Sequence, residues 1–215
     1  MPLSLLLVLG LYAQDVVNVN PADYRVEIDN AWVRVLRVKH APHAKVAIHE
    51  HPANVAVFLT DVNERLIGAD GKIQEVHRKA GEVAYSEATR HMEENISDQP
   101  LEAILVELKP GAPKSPPITL DPVKLDPEHH PVPLENDHVR VLRTILEPHL
   151  KGPMHEHPHY VVVYLTDLHT TMLLGDGKAV DNPRHPGDVA WRDYMKHQTE
   201  NIGDNQAIEI QIELK

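Results

Sequence analysis

The sequence predicts an all-β protein made of two copies of one small barrel or sandwich, and three observations carry that reading. First, the chain repeats itself: His49-Glu50-His51-Pro52 recurs as His155-Glu156-His157-Pro158, an offset of 106 residues. At that offset residues 26–109 align with 132–215 without a gap, and 35 of the 84 positions are identical, which marks a duplicated structural unit. Second, short β-branched segments alternate with closely spaced turn signals, and no stretch keeps a helical period for long. Third, aromatic residues make up only 4% of the chain, so both cores must be built mainly from Val, Leu and Ile.

Taken in order, the clearest strands of the first copy are residues 33–38, 46–51, 55–60, 64–69 and 104–108, each rich in Val, Ile or Leu. Asp70-Gly71 reads as a type I′ hairpin turn, repeated at Asp176-Gly177. A second turn signal is Pro186-Gly187-Asp188, weakened to Ala80-Gly81-Glu82 in the first copy. Between the copies, residues 110–131 contain Pro113, Pro116, Pro117, Pro122 and Pro127, a composition that disfavours both ladder and helix and reads as an extended linker. The expected organisation is therefore a first domain at 14–109, a linker at 110–131 and a second domain at 132–215.

The N-terminus is apolar over residues 3–13, too short for a membrane span but the length of a signal-peptide core. The expectation is a signal peptide at 1–13 and export to a periplasmic or extracellular space. The alternative is a cytoplasmic chain whose first strand docks on a sheet. Lys and Arg number 21 against 32 Asp and Glu, for a net charge of −11 with no basic stripe, which excludes nucleic acid and anionic membranes as expected partners. Cysteine is absent, so there is no disulfide, no thiolate metal site and no thiol nucleophile. No Gly-x-Ser-x-Gly elbow and no Gly-rich phosphate loop occurs. Histidine, by contrast, is abundant at sixteen residues, and neutral imidazoles in such number point first to a metal.

Alternation along a strand aims His49 and His51 to one face, and His155 and His157 likewise. A third histidine recurs at His91 and His197, each ten residues past the Gly of the preceding turn. Three imidazoles per copy would bind Fe, Mn, Ni, Cu or Zn and leave coordination positions open, for up to two ions per chain. The His-x-His strand, the Gly turn and the His-x-x-x-Asn segments ending at Asn95 and Asn201 resemble the two motifs of the cupin superfamily. Their repetition resembles a bicupin. The resemblance implies two tandem double-stranded β-helix (jelly-roll) barrels, each with a metal in its mouth. Two departures stand out: the Gly usual six residues before the first histidine is His43 or His149, and the Glu usual after the His-x-His is absent, its place falling near Asn54 and Tyr160.

The missing carboxylate weakens the match to oxalate decarboxylases and quercetin dioxygenases, which use three His and a Glu. Three neutral imidazoles leave a divalent ion its full charge, which favours an anionic, chelating small molecule. By resemblance to three-His cupin dioxygenases, the expected activity is a metal-dependent dioxygenase or related oxidoreductase. A non-catalytic metal or ligand binder and a cupin-type isomerase or lyase are the alternatives. Tyr160 is the candidate catalytic donor or acid/base. His43 and His149 are expected at the rim, and Glu50 and Glu156 are expected to point outward into salt bridges. The remaining unmatched histidines, among them His129, His130 and His159, are expected mostly at the surface, with His159 able to line the second mouth. Pairing of sheet edges would allow a homo-oligomer.

Overall fold

The computed structural model describes residues 15–215, so the signal-peptide expectation lies outside the described residues. The first half runs α1 (Val16–Val19), β1 (Tyr24–Asp29), β2 (Val33–His40), β3 (Lys45–His51), β4 (Asn54–Phe58), β5 (Val62–Gly68), β6 (Ile73–Arg78), β7 (Val83–Ser86), β8 (Thr89–Asn95) and β9 (Leu101–Leu108). The second runs α2 (Pro122–Leu125), β10 (Leu134–Glu135), β11 (Val139–Leu146), β12 (His155–His157), β13 (Tyr160–Tyr164), β14 (Leu168–Leu174), β15 (Ala179–Arg184), β16 (Val189–Arg192), β17 (Met195–Asn201) and β18 (Ala207–Leu214). Each half pairs a five-stranded sheet with a four-stranded one. The orders are β1-β2-β9-β4-β7 and β3-β8-β5-β6, then β10-β11-β18-β13-β16 and β12-β17-β14-β15. The two halves match strand for strand, and the protein is all-β with the cupin jelly-roll layout.

Each five-stranded sheet is buried on both faces, and its sequence shows it. In β13, Tyr160, Val162 and Tyr164 face the barrel interior, while Val161 and Val163 join a second core that Val33, Val35, Ile104 and Val106 complete from the first half. Double burial explains why β4 and β13 read as nearly unbroken apolar runs rather than alternating ones. The two barrels thus pack back to back within one chain.

Reciprocal contacts close this junction. Arg37 Nη2 donates to Gly187 O at 2.6 Å, and Arg143 Nη1 donates to Gly81 O at 3.0 Å. Gly81 and Gly187 sit at φ +82° and +85°, and a Cβ on either would lie 3.2 or 3.3 Å from the opposing guanidinium. Trp32 and Trp191 stack across the same face with centroids 5.3 Å apart, and His159 packs against both rings. His159 is therefore part of the junction and not of the second mouth.

Two local expectations are corrected. The hairpins at Asp70-Gly71 and Asp176-Gly177 are not type I′, because only the glycines take positive φ. Gly71 N bonds Gly68 O and Gly68 N bonds Lys72 O, so the turn is a four-residue one whose last residue is the left-handed glycine. The Pro-rich segment also does not stay extended. Pro122 opens α2, where its missing N–H is not needed, and the Asp121 carboxylate accepts from Val123 N at 3.1 Å. Asp15 caps α1 in the same way. Asp15/Asp121, Val17/Val123 and Pro21/Pro127 keep the 106-residue offset, so the structural repeat starts ahead of the block visible in sequence.

Substituting Gly187→Ala imposes a left-handed conformation on an L-residue and crowds Arg37. The expected loss is about 1–2 kcal/mol, seen as a fall of roughly 3–6 °C in Tm. Gly203→Ala, at a glycine outside the positive-φ set, serves as the control.

Candidate metal centres

Register brings the histidines together. β3 pairs with β8 so that His49 stands opposite His91, and β12 pairs with β17 so that His155 stands opposite His197. Alternation then adds His51 and His157 on the same inward face. All six predicted ligands are buried, at 8% exposure or less. In each barrel the donor atoms lie within 4.8 Å of one another.

Four of the six rings are held so that Nε2 faces the cluster. His49 Nδ1 donates to Ala47 O at 2.8 Å, and His155 Nδ1 donates to Pro153 O at 2.9 Å. His51 and His157 donate through Nδ1 to Glu107 and Glu213, both at 2.7 Å. Those carboxylates take Nε of Arg34 at 2.5 Å and of Arg140 at 2.6 Å. The arginines reach on to Asp15 and Asp121. Carboxylates behind metal-binding imidazoles fix ring orientation and tautomer.

The residues fit a divalent ion. His49 Nε2 and His157 Nε2 are buried without a hydrogen-bond partner, which is costly unless something else fills that role. His155 Nε2 and His197 Nε2 are 3.0 Å apart; donors about 2.1 Å from one ion lie about 3.0 Å apart when adjacent in an octahedron and about 3.4 Å in a tetrahedron. Burial holds His155 down to about 4 and keeps His157 and His197 well below the ordinary imidazole range. The second cluster is therefore neutral and ready to ligate at neutral pH.

The first centre departs from expectation. Glu93, two residues past His91 on β8, turns inward and places Oε1 2.8 Å from His91 Nε2 and 3.9 Å from His49 Nε2. The expected three-His set in this barrel is thus three His and one Glu. The carboxylate comes from β8, while Asn54, at the usual Glu position, only bonds Pro52 O. Burial opposes ionisation of Glu93, but the His91 hydrogen bond and the nearby His40, His91 and His49 outweigh it and hold the carboxyl well below its usual range. Its counterpart in the second barrel is Thr199. That centre keeps three imidazoles, and His130, in the place of Tyr24, packs 5.4 Å from His155.

Other candidates fall elsewhere. His43 and His149 are exposed, at φ 58° and 62°, and pair with Asp98 and Asp204. They occupy a left-handed position, which glycine adopts most readily. Asn95 and Asn201 bond main-chain atoms of the flanking turns and touch no ligand atom. Glu50 pairs with Arg90 at the surface, but Glu156 is buried, not in a salt bridge, because Thr119 and Leu120 of the connecting segment fold over it and donate to Oε2. Tyr160 is buried beside His157, with ring centroids 4.9 Å apart, and its hydroxyl donates only to Met195 Sδ at 3.2 Å.

Behind the second centre lie two small cavities of about 20 and 10 Å³. Tyr160, Tyr164, Asn182, Arg192 and His197 line the larger, and Glu209 lines both. Arg192 bonds neutral oxygens of Tyr164 and Asn182 at 3.5 and 3.4 Å and has no ion-pair partner among the described residues. Burial pushes Glu209 up to about 7 against the hydrogen bond from Gln211. In the first barrel the corresponding positions are Phe58, Ser86, Ala103 and Leu105, and apolar side chains fill the space.

No protein-family model matches the chain, and no curated protein matches it in sequence. Solved structures do match in fold. AerE from Microcystis aeruginosa superposes with a TM-score of 0.64 at 14% identity, over 90% of this chain and 97% of that one. A single-substitution variant of Bacillus subtilis oxalate decarboxylase gives 0.60 at 14% identity, over 89% and 75%. A cupin 2 conserved barrel domain protein from Leptotrichia buccalis gives 0.56 at 11% identity, over 89% and 88%. The chain has the cupin fold, built as two barrels, each with a histidine cluster suited to a divalent metal. No helix among the described residues is long and apolar enough to cross a membrane.

Two outcomes are expected. Glu213→Gln weakens metal binding in the second barrel about 10–100-fold, measured by competition with a coloured chelator, and leaves the first unchanged; Glu107→Gln does the reverse. In metal-free protein, Glu209 releases its proton near 4.5 when unfolded and near 7 when folded. Between those values the unfolded chain binds fewer protons at this one site, so the Glu209 contribution to stability falls as pH rises, by up to about 3 kcal/mol in all. The depressed imidazoles of His155, His157 and His197 act the other way below about pH 6.5, so the contribution is read as the difference between wild type and Glu209→Gln in denaturant titrations from pH 4 to 8.

Proposed function

We propose that the second barrel is the reactive one and that the protein is a metal-dependent dioxygenase or related oxidoreductase acting on a small anionic, chelating molecule. The observation that carries this reading is the Arg192 cation, without an ion-pair partner among the described residues, inside a polar cavity that reaches His197 of the second histidine cluster. A divalent ion held by His155, His157 and His197 would supply Lewis-acid charge and, as iron, redox chemistry with oxygen. The chain's own groups do the rest. Arg192 offers a planar donor pair for a carboxylate. Tyr160, whose hydroxyl has only a thioether as acceptor and which burial keeps protonated, donates to a substrate oxygen. Val162 and Leu168 close the cavity against water.

The size of the cavity, room for about one water, limits the substrate to few atoms unless side chains shift. Among structures of the same fold, Bacillus subtilis oxalate decarboxylase has Mn(II) centers, and the Lactobacillus farciminis enzyme was solved as a formate complex, which supports a divalent ion and a small carboxylate. One observation favours a second reading, a lyase or isomerase. Glu209 is a half-buried carboxyl that is pushed up to about 7 and so can give a proton to a carbanion.

The test is turnover of small mono- and dicarboxylates and hydroxy acids by protein loaded with Fe(II) or Mn(II), followed with an oxygen electrode. Oxygen uptake lost in His157→Ala, with KM raised about 100-fold in Arg192→Gln, is the expected result. Turnover without oxygen uptake would replace it with the lyase reading. Tight binding with no turnover of any candidate would leave a binding protein.

A further inference from the structure

We propose that the first barrel holds a second metal ion next to the one at His49, His51 and His91, ligated by His40, Glu64 and the far oxygen of Glu93, so that Glu93 bridges two ions. The inference rests on the reading of His49, His51 and His91 as a metal site and extends it.

The two oxygens of Glu93 face different partners. Oε1 lies toward His91 and His49, at 2.8 and 3.9 Å. Oε2 lies toward His40 Nε2, at 3.6 Å, and accepts from Tyr24 Oη at 2.5 Å. A carboxylate oxygen has two lone pairs, so the Tyr24 bond leaves one for a cation. On the other side of the ring His40 Nδ1 donates to Glu64 Oε1 at 3.1 Å, so without an ion Glu64 holds the ring as Glu107 holds His51. An ion at Nε2 draws Glu64 in only when its carboxylate swings off Nδ1. The donor atoms of His40, Glu64 and Glu93 all lie within 4.8 Å of one another, the same spacing as in the two histidine clusters.

His40 points to a ligand independently of the carboxylates. Its side chain is 1% exposed, and Nε2 is buried with no hydrogen-bond partner, aimed toward Glu93 Oε2 at a distance too long for a hydrogen bond. Glu64 and Glu93 are nearly buried, and among the described residues their ion-pair partners are imidazoles alone, with no Lys or Arg. Two adjacent buried carboxylates need compensating positive charge, which a metal ion can supply, and a mixed imidazole and carboxylate set suits Mn, Fe or Zn.

The internal repeat supplies a control. At the 106-residue offset His40, Glu64 and Glu93 become Leu146, Thr170 and Thr199. All three donors change together, whereas the histidine triads, Glu107/Glu213 and Arg34/Arg140 are kept. A set that is present whole in one barrel and absent whole in the other behaves as one unit.

The test is metal stoichiometry on the full chain, stripped with chelator and reloaded with Mn(II), read by elemental analysis and by electron paramagnetic resonance. The expected result is three ions per chain with a spin-coupled pair. Glu64→Gln, which keeps size and shape, and His40→Leu, which copies the second barrel, should each lower the count to two and abolish the coupled signal. Melting curves check that the variants fold; if they do not, the wild-type count and spectrum decide. Two uncoupled ions in the wild type, one lost with His51→Ala and one with His157→Ala, would overturn this proposal and leave the simpler metal reading standing. No uptake at all would overturn both.

Discussion

A buried carboxylate at the heart of each barrel, Glu107 or Glu213, is the constraint on which the rest of the structure depends. It sits almost without solvent on the last strand of the five-stranded sheet and bonds a histidine of the facing sheet, so it ties the two layers together at the metal cluster. Burial alone would push such a group toward its neutral form, and Glu213 is indeed raised on that account against the pull of Arg140. A buried ion pair is tolerable only when every partner is supplied. Here both oxygens are used, one by the imidazole and one by the arginine. The arginine is steadied in turn by an aspartate that also caps a one-turn helix. Chain entry, sheet pairing and ligand orientation are linked through one side chain.

That linkage explains which parts of the fold and the centres were legible in sequence. The duplicated block announced itself because residues that pack against both barrels, such as Val33, Val35, Val55 and Val57, cannot drift far. The ligand histidines were legible for the same reason, since register places His91 opposite His49 and His197 opposite His155. The outer strands β6 and β15 were not, because they are mostly exposed and carry no apolar alternation. β8 was also missed, because its inward residues are His91, Glu93 and Asn95, polar groups that hide a strand from any hydrophobic pattern.

Other gaps have specific physical causes. Glu93 was within reach, since i and i+2 on a strand share a face, but nothing in one copy repeats it in the other. Glu107 and Glu213 are identical in both copies, and their signal was present without a partner to give it meaning. His130 and Tyr24 share a structural position although the residues differ. The paired caps at Asp15 and Asp121, with Val17/Val123 and Pro21/Pro127, reveal that the repeat reaches that far. The turn at Asp70-Gly71 shows the limit of dipeptide rules: the same two residues satisfy two hairpin types, and the loop length decides between them.

The two barrels have diverged in opposite directions on one skeleton. In the first, Phe58, Ala103 and Leu105 fill the interior while His40, Glu64 and Glu93 crowd donors around the cluster. In the second, Tyr164, Glu209, Gln211 and Arg192 replace the filling with polar groups around small cavities, and the extra donors become Leu146, Thr170 and Thr199. An ion surrounded by protein donors has few positions left for anything else, whereas one held by three imidazoles beside a cavity keeps several. The first arrangement therefore suits retention of metal and the second suits exchange of ligands. Because the barrels share a continuous apolar core and reciprocal arginine contacts, an ion that stiffened the first half would brace the junction with the second.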